Sequence, residues 1–376
     1  MTRVVLAVDG NSLLHRSFHA QAKTGLHDAS GRPMWAVRGL LSQLAAAVER
    51  IGPDAVIVGF DDPHNSIRRT TWPHYKAART EKLPTLVQQL ERAVEVLTEL
   101  GVAVVTPAGL EADDVLASVA VLAPTLQAET VIVTSDRDSF ALIDEHTRVL
   151  RILNGGVDAS PLLDASRLEL MLGIRPDQYR DFAALRGDPS DNLPGVYGIG
   201  PKTAARLLAV MQSATHAFDD VHSGGGRVAA EVGTSVAQRL AHADAHPTWQ
   251  RNCEIMRMRI DVDVAFSPTA GPGRLPLSTD RVRLIWGQHQ LSATLFGALR
   301  ALCHHEPDRP DRHGQEPDGP EPASERMATP SRMVAWPPYR SGGGDGGGRA
   351  AWPAAGGRHP RRPAPTPARI DQLTLF

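Results

Sequence analysis

Seven acidic residues lie at or shortly after the ends of four apolar runs of the amino-acid sequence, three of them at the start of a predicted helix. The runs cover residues 4–8, 56–60, 102–106 and 131–135, and the acids are Asp9, Asp61, Glu111, Asp113, Asp114, Asp136 and Asp138. Any one of these acids could instead serve a turn or a helix N-terminus. Together, carboxylates so placed would repel one another unless cations held them, and hard divalent ions prefer oxygen ligands. The pattern therefore predicts a site for Mg²⁺ or Mn²⁺.

Two further acids, Asp188 and Asp191, stand three residues apart just before a glycine-rich segment. Pro201 suits the first turn of the helix that follows, whose free N–H groups can bind a phosphate. The form is that of a helix-hairpin-helix element over about 188–210, which grips duplex backbone; a plain turn is the alternative. A Walker phosphate loop is excluded because its glycine spacing is longer. The candidate DNA contacts are Gly195, Gly198, Gly200, Lys202 and Thr203.

A basic stretch follows the second apolar run and its acid, Asp61. It contains Arg68, Arg69, Lys76, Arg79 and Lys82, with Trp72 and Tyr75 between them. Such a run can be a solvated face. Cations interleaved with aromatic side chains also suit single-stranded nucleic acid, through phosphate contacts and base stacking. Because the stretch directly follows an acid of the expected metal edge, we expect its cations to hang over that edge.

The elements that position these residues follow a regular alternation up to about residue 155. Strands are predicted at Val4–Asp9, Ala55–Phe60, Val102–Thr106, Thr130–Thr134 and Val149–Leu153, and helices at Trp35–Ile51, Leu86–Leu100 and Asp113–Leu122. Strands alternating with helices indicate a mostly parallel α/β sheet, whose ligands bind outside the carboxyl ends of the strands. We expect a catalytic domain over 1–160, with an arch at about 64–85, and a helical subdomain without further strands over 161–302.

The rest of the chain has a different composition. Residues 304–371 hold 13 of the 29 prolines and 10 of the 33 glycines, which predicts a disordered linker over 303–371. The formal net charge of −2 shows no general basic excess, so nucleic-acid binding must come from local patches. Two cysteines are too few for a disulfide framework. With no signal peptide or membrane span in the pattern, we expect a cytoplasmic, nucleoid-associated monomer.

Six stretches together resemble the 5′ nuclease family, which includes the N-terminal domain of bacterial DNA polymerase I, phage 5′ exonucleases and flap endonucleases. They read VDGNSLLHRSFHA, VGFDDP, HYKAAR, LEADDVLAS, VTSDRDSFALI and GDPSDNLPGVYGIGPKTA, and they span about residues 3–210. The resemblance implies a PIN-like catalytic domain with a helical arch. It also implies a structure-specific 5′–3′ exonuclease or flap endonuclease that hydrolyses DNA with two divalent ions. We expect a free-standing nuclease, because no polymerase domain follows.

The resemblance also implies roles for individual residues. Asp9, Asp61, Glu111 and Asp113 match the acids of a first metal site; Asp136, Asp138 and Asp191 match a second; Asp114 and Asp188 match additional acids. Lys76 and Arg79 match arch cations that contact the scissile phosphate, and Arg68 matches a further arch cation. The hairpin matches an element that holds downstream duplex and can bind K⁺ through backbone carbonyls. No role is assigned to the segment Gly224–Gly226.

The last five residues resemble the short peptide by which bacterial replication and repair proteins bind the sliding clamp. The matching residues are Gln372, Leu373, Leu375 and Phe376. A tether of about 68 residues has a reach of roughly 45 Å. The expected partners are thus branched or 5′-ended duplex DNA, RNA–DNA primer junctions and the clamp.

Two other functions remain open at this point. A PIN-type ribonuclease shares the acid-edged sheet but is shorter and lacks the hairpin and the arch. A non-catalytic, clamp-tethered junction binder would have no use for nine acids. The sequence supports a phosphatase less well. The Asp-x-Asp pair of such an enzyme should end the first strand, whereas Asp136 and Asp138 follow a later strand.

Overall fold

The structure is a computed structural model that describes residues 2–303 except 29, 290, 292–294, 296 and 298. The predicted linker from residue 304 onward and the terminal peptide with Gln372, Leu373, Leu375 and Phe376 lie outside the described residues. Within the described part of the chain, none of the helices has the length and apolar composition that crossing a membrane requires.

A six-stranded sheet forms the centre of the N-terminal part. Its strands are β1 (Arg3–Asp9), β2 (Ala55–Gly59), β3 (Ala103–Val105), β4 (Ala128–Thr134), β5 (Thr147–Arg151) and β6 (Leu162–Leu163). The order is β3-β2-β1-β4-β5-β6, and every pair except β5–β6 is parallel. The order reverses between β1 and β4, which is where ligands bind in open parallel sheets.

Helices cover both faces of this sheet, and the chain after the sheet is mainly helical. They are α1 (Gly10–Gln21), α2 (Trp35–Ile51), α3 (Ile67–Thr71), α4 (Pro84–Leu100), α5 (Ala112–Thr125), α6 (Ala165–Leu172), α7 (Tyr179–Arg186), α8 (Pro201–Met211), α9 (Ala214–Ser223), α10 (Thr234–Leu240), α11 (Ala245–Ile255) and α12 (Thr279–His289). The mostly parallel α/β sheet followed by a helical subdomain confirms the predicted fold class.

The predicted boundaries differ from the observed ones by a few residues. The helix Trp35–Ile51 has the predicted bounds, and β4 begins two residues earlier than expected. Three two-residue strands were not predicted: β6, β7 (Gly187–Asp188) and β8 (Leu193–Pro194). Such short pairs leave no alternating or apolar pattern in the sequence, because tertiary contacts place them.

Two hydrophobic cores lie on opposite faces of the sheet. One face packs against α1, α2 and α4, around Leu41 and Leu97. The other packs against α5 and continues into the helical subdomain, around Tyr179 and Phe218. Neighbouring residues of each strand contribute to opposite cores, as Leu6 and Ala7 of β1 do. Burial on both faces explains why these strands are apolar throughout.

The end of the described chain returns to the N-terminal domain. Leu277, Ile285 and Leu302 belong to the same core as α2 and α4, and the Leu277 N–H donates to the Leu302 carbonyl over 2.7 Å. The sequence predicts that residues 161–302 form the helical subdomain. In the structure, the described residues among 275–302 instead pack on the catalytic domain, because their apolar side chains complete its core.

Candidate active site

Asp9 is the last residue of β1 and directly precedes α1. Its carboxylate caps α1 by accepting from the Ser12 N–H over 2.8 Å, and it also accepts from the Thr134 hydroxyl of β4 over 2.8 Å. Burial is the main cause that raises the Asp9 pKa to about 7; these hydrogen bonds lower it, and the nearby charges of Asp61 and Asp136 raise it. Asp9 thus stands at the point where the strand order reverses.

Asp61 lies beside Asp9, just beyond β2. The Asn11 side-chain amide donates to the Asp61 carboxylate over 2.7 Å, and the Ala112 N–H at the start of α5 donates to it over 3.0 Å. The neighbouring Asp62 accepts N–H groups of Gly109, His64 and Asn65, which lower its pKa to about 2. Asp61 therefore faces the site, whereas Asp62 orders the loop beneath it.

Asp113, Asp136 and Asp138 complete the crowded part of the site. Burial raises the pKa of Asp138 to about 8 and that of Asp113 well above its usual range, and the charge of Asp136 raises both further. Asp113 Oδ1 is shielded from solvent and has no hydrogen-bond partner among the described residues. Burying a carboxylate oxygen without a hydrogen-bond donor costs free energy. A cation bound beside Asp113 Oδ1 would remove that cost.

Asp188 and Asp191 reach the site from the helical subdomain. Their charges raise the pKa of Asp138, so they lie close to it. Asp188 caps a short 3₁₀ turn, Pro189–Asp191, by accepting from the Ser190 N–H over 2.8 Å. Asp191 is buried, which raises its pKa, and Lys76 and Arg79 oppose that rise. The structure thus joins the two predicted groups of acids.

Asp114 is fully buried and paired with Arg68 of α3. The two guanidinium nitrogens of Arg68 lie 2.9 and 2.5 Å from its two oxygens, and the N–H groups of Glu111 and Arg259 donate to the same oxygens. Each carboxylate oxygen accepts two hydrogen bonds, which uses all four lone pairs. Arg68 also donates to the carbonyls of Ile255 and Arg257. Asp114 is predicted to bind a metal and Arg68 to bind DNA. Either role would require the hydrogen bonds between Asp114 and Arg68 to break.

Glu111 is held by the segment between α3 and α4. Lys76 Nζ lies 3.1 Å from Glu111 Oε1, and the Tyr75 hydroxyl donates to Oε2 over 3.2 Å. Burial opposes the charge of Lys76, yet Glu111 and Asp191 together raise its pKa. Lys76 has a φ of +56°, a conformation that non-glycine residues rarely adopt. Tyr75 is buried and packs with Leu193, so it does not lie on the surface as a stacking residue would.

The remaining cations of this segment are more exposed. Arg79 pairs with Asp191, and Lys82 Nζ lies 4.0 Å from Asp61 Oδ2. Arg69 is exposed on α3. The predicted arch at 64–85 contains one five-residue helix, α3, followed by turns, and α4 begins at Pro84. Arg79 and Lys82 therefore lie beside acids of the site, whereas Arg69 is exposed to solvent.

The glycine hairpin follows β8 and leads into α8. A Cβ on Gly195 would lie 2.2 Å from the Arg186 carbonyl oxygen, so only glycine fits there. Gly200 begins α8 with no side-chain cap among the described residues, and Lys202 is exposed in the first turn. Thr203 is half-buried, and Tyr197 at the tip is 91% exposed. The hairpin thus presents open N–H groups and an aromatic ring to solvent.

Several residues at the site have no predicted role. Asn11 and Thr134 hold Asp61 and Asp9, and they occur within the quoted motifs VDGNSLLHRSFHA and VTSDRDSFALI. His15 of α1 lies near the same cations; burial, then Lys82, lowers its pKa to about 4 and keeps it neutral. A single histidine on a helix gives no signal in the sequence, because only the tertiary fold brings the basic segment against it.

Cations of this chain contact several of the acids. In the described part of the chain, no group of three or more His, Cys, Asp or Glu side chains is arranged to hold a metal ion. Arg68, Lys76 and Arg79 instead contact Asp114, Glu111 and Asp191. The site therefore balances part of its negative charge with its own basic segment.

Comparisons with known proteins agree with this geometry. The model for the 5′-3′ exonuclease N-terminal resolvase-like domain matches residues 4–169. The model for the 5′-3′ exonuclease C-terminal SAM fold matches residues 174–273. The two adjacent matches divide the chain where the sheet ends and the helical subdomain begins.

Curated relatives and solved structures give the same grouping. The chain is 33% identical to DNA polymerase I of Mycobacterium tuberculosis over 264 residues, which are 70% of this chain and 28% of that protein. It is 42% identical to the thermostable DNA polymerase I of Thermus aquaticus over 204 residues, 54% of this chain and 23% of that protein. The chain thus spans about a quarter of the length of these relatives. The catalytic core of Rad2 in complex with DNA substrate shares the fold, with a TM-score of 0.52, 15% identity and coverage of 80% of this chain and 92% of that one.

Proposed function

The chain belongs to the 5′ nuclease family, and from this premise we propose that it is a structure-specific 5′–3′ exonuclease and flap endonuclease. Its proposed task is the removal of primers and flaps from DNA during replication and repair. The observation that carries the proposal is the acid cluster around Asp9, Asp113 and Asp138, which faces the cations of residues 68–82 at the switch point of the sheet.

We propose two divalent ions, Mg²⁺ or Mn²⁺, as cofactors: the available ligands are all carboxylate oxygens, although Lys76 and Arg79 hold Glu111 and Asp191 in this structure. Asp113 Oδ1 is buried without a donor. Burial raises the pKa of Asp113 and Asp138, and the charge of Asp136 raises both further, so a positive charge at this place would favour the ionised forms. We assign to the ions the acids Asp9, Asp61, Glu111, Asp113, Asp136, Asp138, Asp188 and Asp191. When bound, the ions supply activation of the attacking water and charge stabilisation at the phosphate.

The chain's own cations act on the substrate in this proposal. Lys76 and Arg79 currently neutralise Glu111 and Asp191. With a phosphate bound at the site, these two side chains would turn from the carboxylates to the phosphate and offset the charge that develops on it. The exposed side chains Arg69 and Lys82 would bind the neighbouring DNA backbone. Tyr75 would hold Lys76 in place, since its ring centroid lies 4.7 Å from Lys76 Nζ.

Asp114 and Arg68 receive a positioning role rather than a role at the metal or the DNA. Both oxygens of Asp114 are saturated by donors of this chain, and Arg68 is only 13% exposed. Their pair joins α3, α5 and the segment after α11. We therefore assign them to holding the basic segment at the correct distance from the acids.

The potassium ion expected at the hairpin does not fit the residues present. The carbonyls of Val196, Gly198 and Gly200 already accept hydrogen bonds, from Ile199 N–H, the Arg239 guanidinium and Ala204 N–H. A cation bound at Gly198 would lie against a guanidinium of the same charge. The hairpin is therefore given no bound ion in the proposed mechanism; it holds duplex DNA through its N–H groups and Lys202.

The proposed partners extend beyond the acidic site. A monomer would act in the cytoplasm, at the nucleoid, on branched or 5′-ended duplex DNA, including RNA–DNA primer junctions, and the terminal peptide would bind the sliding clamp. The hairpin supports DNA over a short single-stranded RNA, because a duplex-gripping element would be of no use to a PIN-type ribonuclease. The cluster of raised carboxylate pKa values argues against a non-catalytic junction binder, because a binder gains nothing from the repulsion.

One assay tests the proposed function. The protein is incubated with a 5′-labelled flap DNA and with single-stranded RNA, each with and without Mg²⁺. We expect Mg²⁺-dependent cleavage of the flap, and we expect Asp136→Ala to bind flap DNA without cutting it. Binding without cleavage by the unmodified protein would identify a junction binder, and cleavage of RNA alone would identify a ribonuclease.

A further inference from the structure

Arg239 of α10 lies over the tip of the glycine hairpin. Its guanidinium NH1 donates to the Gly198 carbonyl over 2.6 Å. A Cβ on Gly198 would meet the Arg239 side chain at 2.8 Å, so the guanidinium packs directly on the glycine backbone. Arg239 is nevertheless exposed to solvent. One side of the group is therefore fixed to the hairpin and the other faces the solvent.

The segment Gly224–Gly226 explains how α10 reaches this position. The chain leaves α9 through Gly224, and the Asp220 carboxylate accepts the N–H groups of Arg227 and Val228 beyond the turn. Gly224 and Gly226 have φ values of +76° and +78°, and a Cβ on Gly225 would displace the Asp220 carboxylate, so glycine suits this turn. The turn redirects the chain into the next helical segment and then into α10, whose last turn contains Arg239.

We propose that Arg239 is the built-in cation of the hairpin, which contacts a backbone phosphate of duplex DNA and removes the need for a bound potassium ion. The inference rests on the proposed function of the hairpin in duplex binding. A guanidinium has five N–H donors, and the one at NH1 that Gly198 accepts leaves others for a phosphate. It is charged at every physiological pH, and it matches the geometry of phosphate oxygens. Lys202 provides a second cation on the same hairpin.

The test compares three variants in binding to a flap duplex without divalent ions, so that no cleavage occurs. Arg239→Gln removes the charge, and Arg239→Lys keeps it. Arg227→Gln is the matched control, because Arg227 is an exposed arginine of the same subdomain that pairs with Glu231 over 3.0 Å. Dissociation constants are measured over a range of NaCl and of KCl concentrations.

We expect Arg239→Gln to lower the slope of log affinity against log salt by about one, the effect of one lost phosphate contact, and to weaken binding about threefold or more. Arg239→Lys should retain the slope, and Arg227→Gln should match the unmodified protein. A loss of affinity in Arg239→Gln with an unchanged slope would show a purely structural role and overturn the inference.

The choice of salt tests the second half of the proposal. The unmodified protein should bind equally well in KCl and NaCl, because the guanidinium occupies Gly198. A clear preference of the unmodified protein for KCl would show that an ion binds at the hairpin and would overturn the inference. If the unmodified protein fails to bind or cleave flap DNA, the proposed function itself fails. If it binds and cleaves while all three variants bind as it does, only the role of Arg239 fails.

Discussion

At the scale of single residues, burial changes the proton affinity of the acids at the strand ends. Asp9 and Asp138 have pKa values of about 7 and about 8, against an ordinary value of 3.8. Burial is the largest cause in both, and the neighbouring carboxylates add to it. The ionised cluster is therefore unfavourable in the folded protein, which prepares it to bind cations.

This cluster predicts how stability depends on pH when no metal is bound. Because the folded-state pKa values are raised, the folded protein binds more protons than the unfolded chain between pH 3.8 and about 8. The stabilisation from these groups is present at low pH and is lost as the pH rises through about 7 to 8. We expect the melting temperature in EDTA to fall as the pH rises through about 7 to 8. Mg²⁺ should restore the melting temperature, because it binds only the folded protein.

Thermal unfolding with EDTA and with Mg²⁺ measures both effects. Asp138→Asn should flatten the pH dependence in EDTA, because it removes one of the repelling charges. Asp158→Asn changes an exposed acid outside the site and is the matched control. A melting temperature in EDTA that rises with pH over this range would contradict the prediction.

Lys76 and Arg79 predict a second effect at this scale. Each holds a carboxylate in the free protein, and in the proposed mechanism each turns to the phosphate. Lys76→Met and Arg79→Met should therefore lower the cleavage rate about 10² to 10³-fold, the effect of losing one preorganised cation. Single-turnover cleavage of a flap DNA measures the rate.

Flap-DNA affinity, measured alongside, should change much less than the rate. Lys23→Met, which alters an exposed lysine beyond α1, is the control for charge. Equal losses in affinity and rate would point to simple DNA binding by Lys76 and Arg79.

At the scale of elements, one ion pair joins three parts of the fold. Arg68 on α3 holds Asp114 on α5, and Arg68 also donates to the carbonyls of Ile255 and Arg257 at the end of α11. The Arg259 N–H donates to Asp114, and the Val262 N–H donates to Ser118 of α5. The basic segment, the acidic helix and the helical subdomain are thus fastened at one point.

Asp114→Asn should consequently act on stability rather than on metal binding. Removing one partner of a buried pair leaves the Arg68 charge uncompensated and costs about 3–5 kcal/mol. We expect a lower melting temperature and faster amide exchange at Arg259 and Val262, with Mg²⁺ affinity little changed. Asp136→Asn provides the contrast, because it should lose Mg²⁺ affinity with little cost in stability. A strong loss of Mg²⁺ affinity in a stable Asp114→Asn protein would instead support Asp114 as a ligand.

At the scale of the whole molecule, the two domains share their cores. One core extends from the sheet through α5 into the helical subdomain, and the other is completed by the described residues among 275–302, which return after that subdomain. The acids of β1 and β4 and those near α8 are therefore held in one compact unit. In the proposed function, this rigid connection would let the hairpin, by holding the duplex, determine which phosphate reaches the acids.

The terminal peptide predicts a separate effect at this scale. Deleting residues 372–376 should abolish binding to the sliding clamp, and it should leave cleavage without the clamp unchanged. Stimulation of cleavage by the clamp, about 10²-fold from the raised local concentration, should be lost. Affinity for the clamp measures the first effect, and flap cleavage with and without the clamp measures the others. Thr374→Ala, at a position outside the predicted contacts, is the control, and unchanged clamp affinity after the deletion would refute the idea.

The sequence by itself determined the fold class, the sheet edge and the acids. Apolar runs alternating with helical patterns require parallel strands, and parallel strands bring Asp9, Asp61 and Asp136 to one edge without further information. Local patterns were sufficient here because the apolar run that forms a strand and the acid that follows it are close together in the sequence.

Only the tertiary structure decided which acids are free and which are already held. Asp113 and Asp114 are neighbours in the sequence, yet one has an oxygen without a donor and the other accepts four hydrogen bonds. The same holds for Arg239, which lies 41 residues beyond the glycine that it contacts. Contacts between residues so far apart depend on how the helices pack, and packing leaves no periodic signal in the chain.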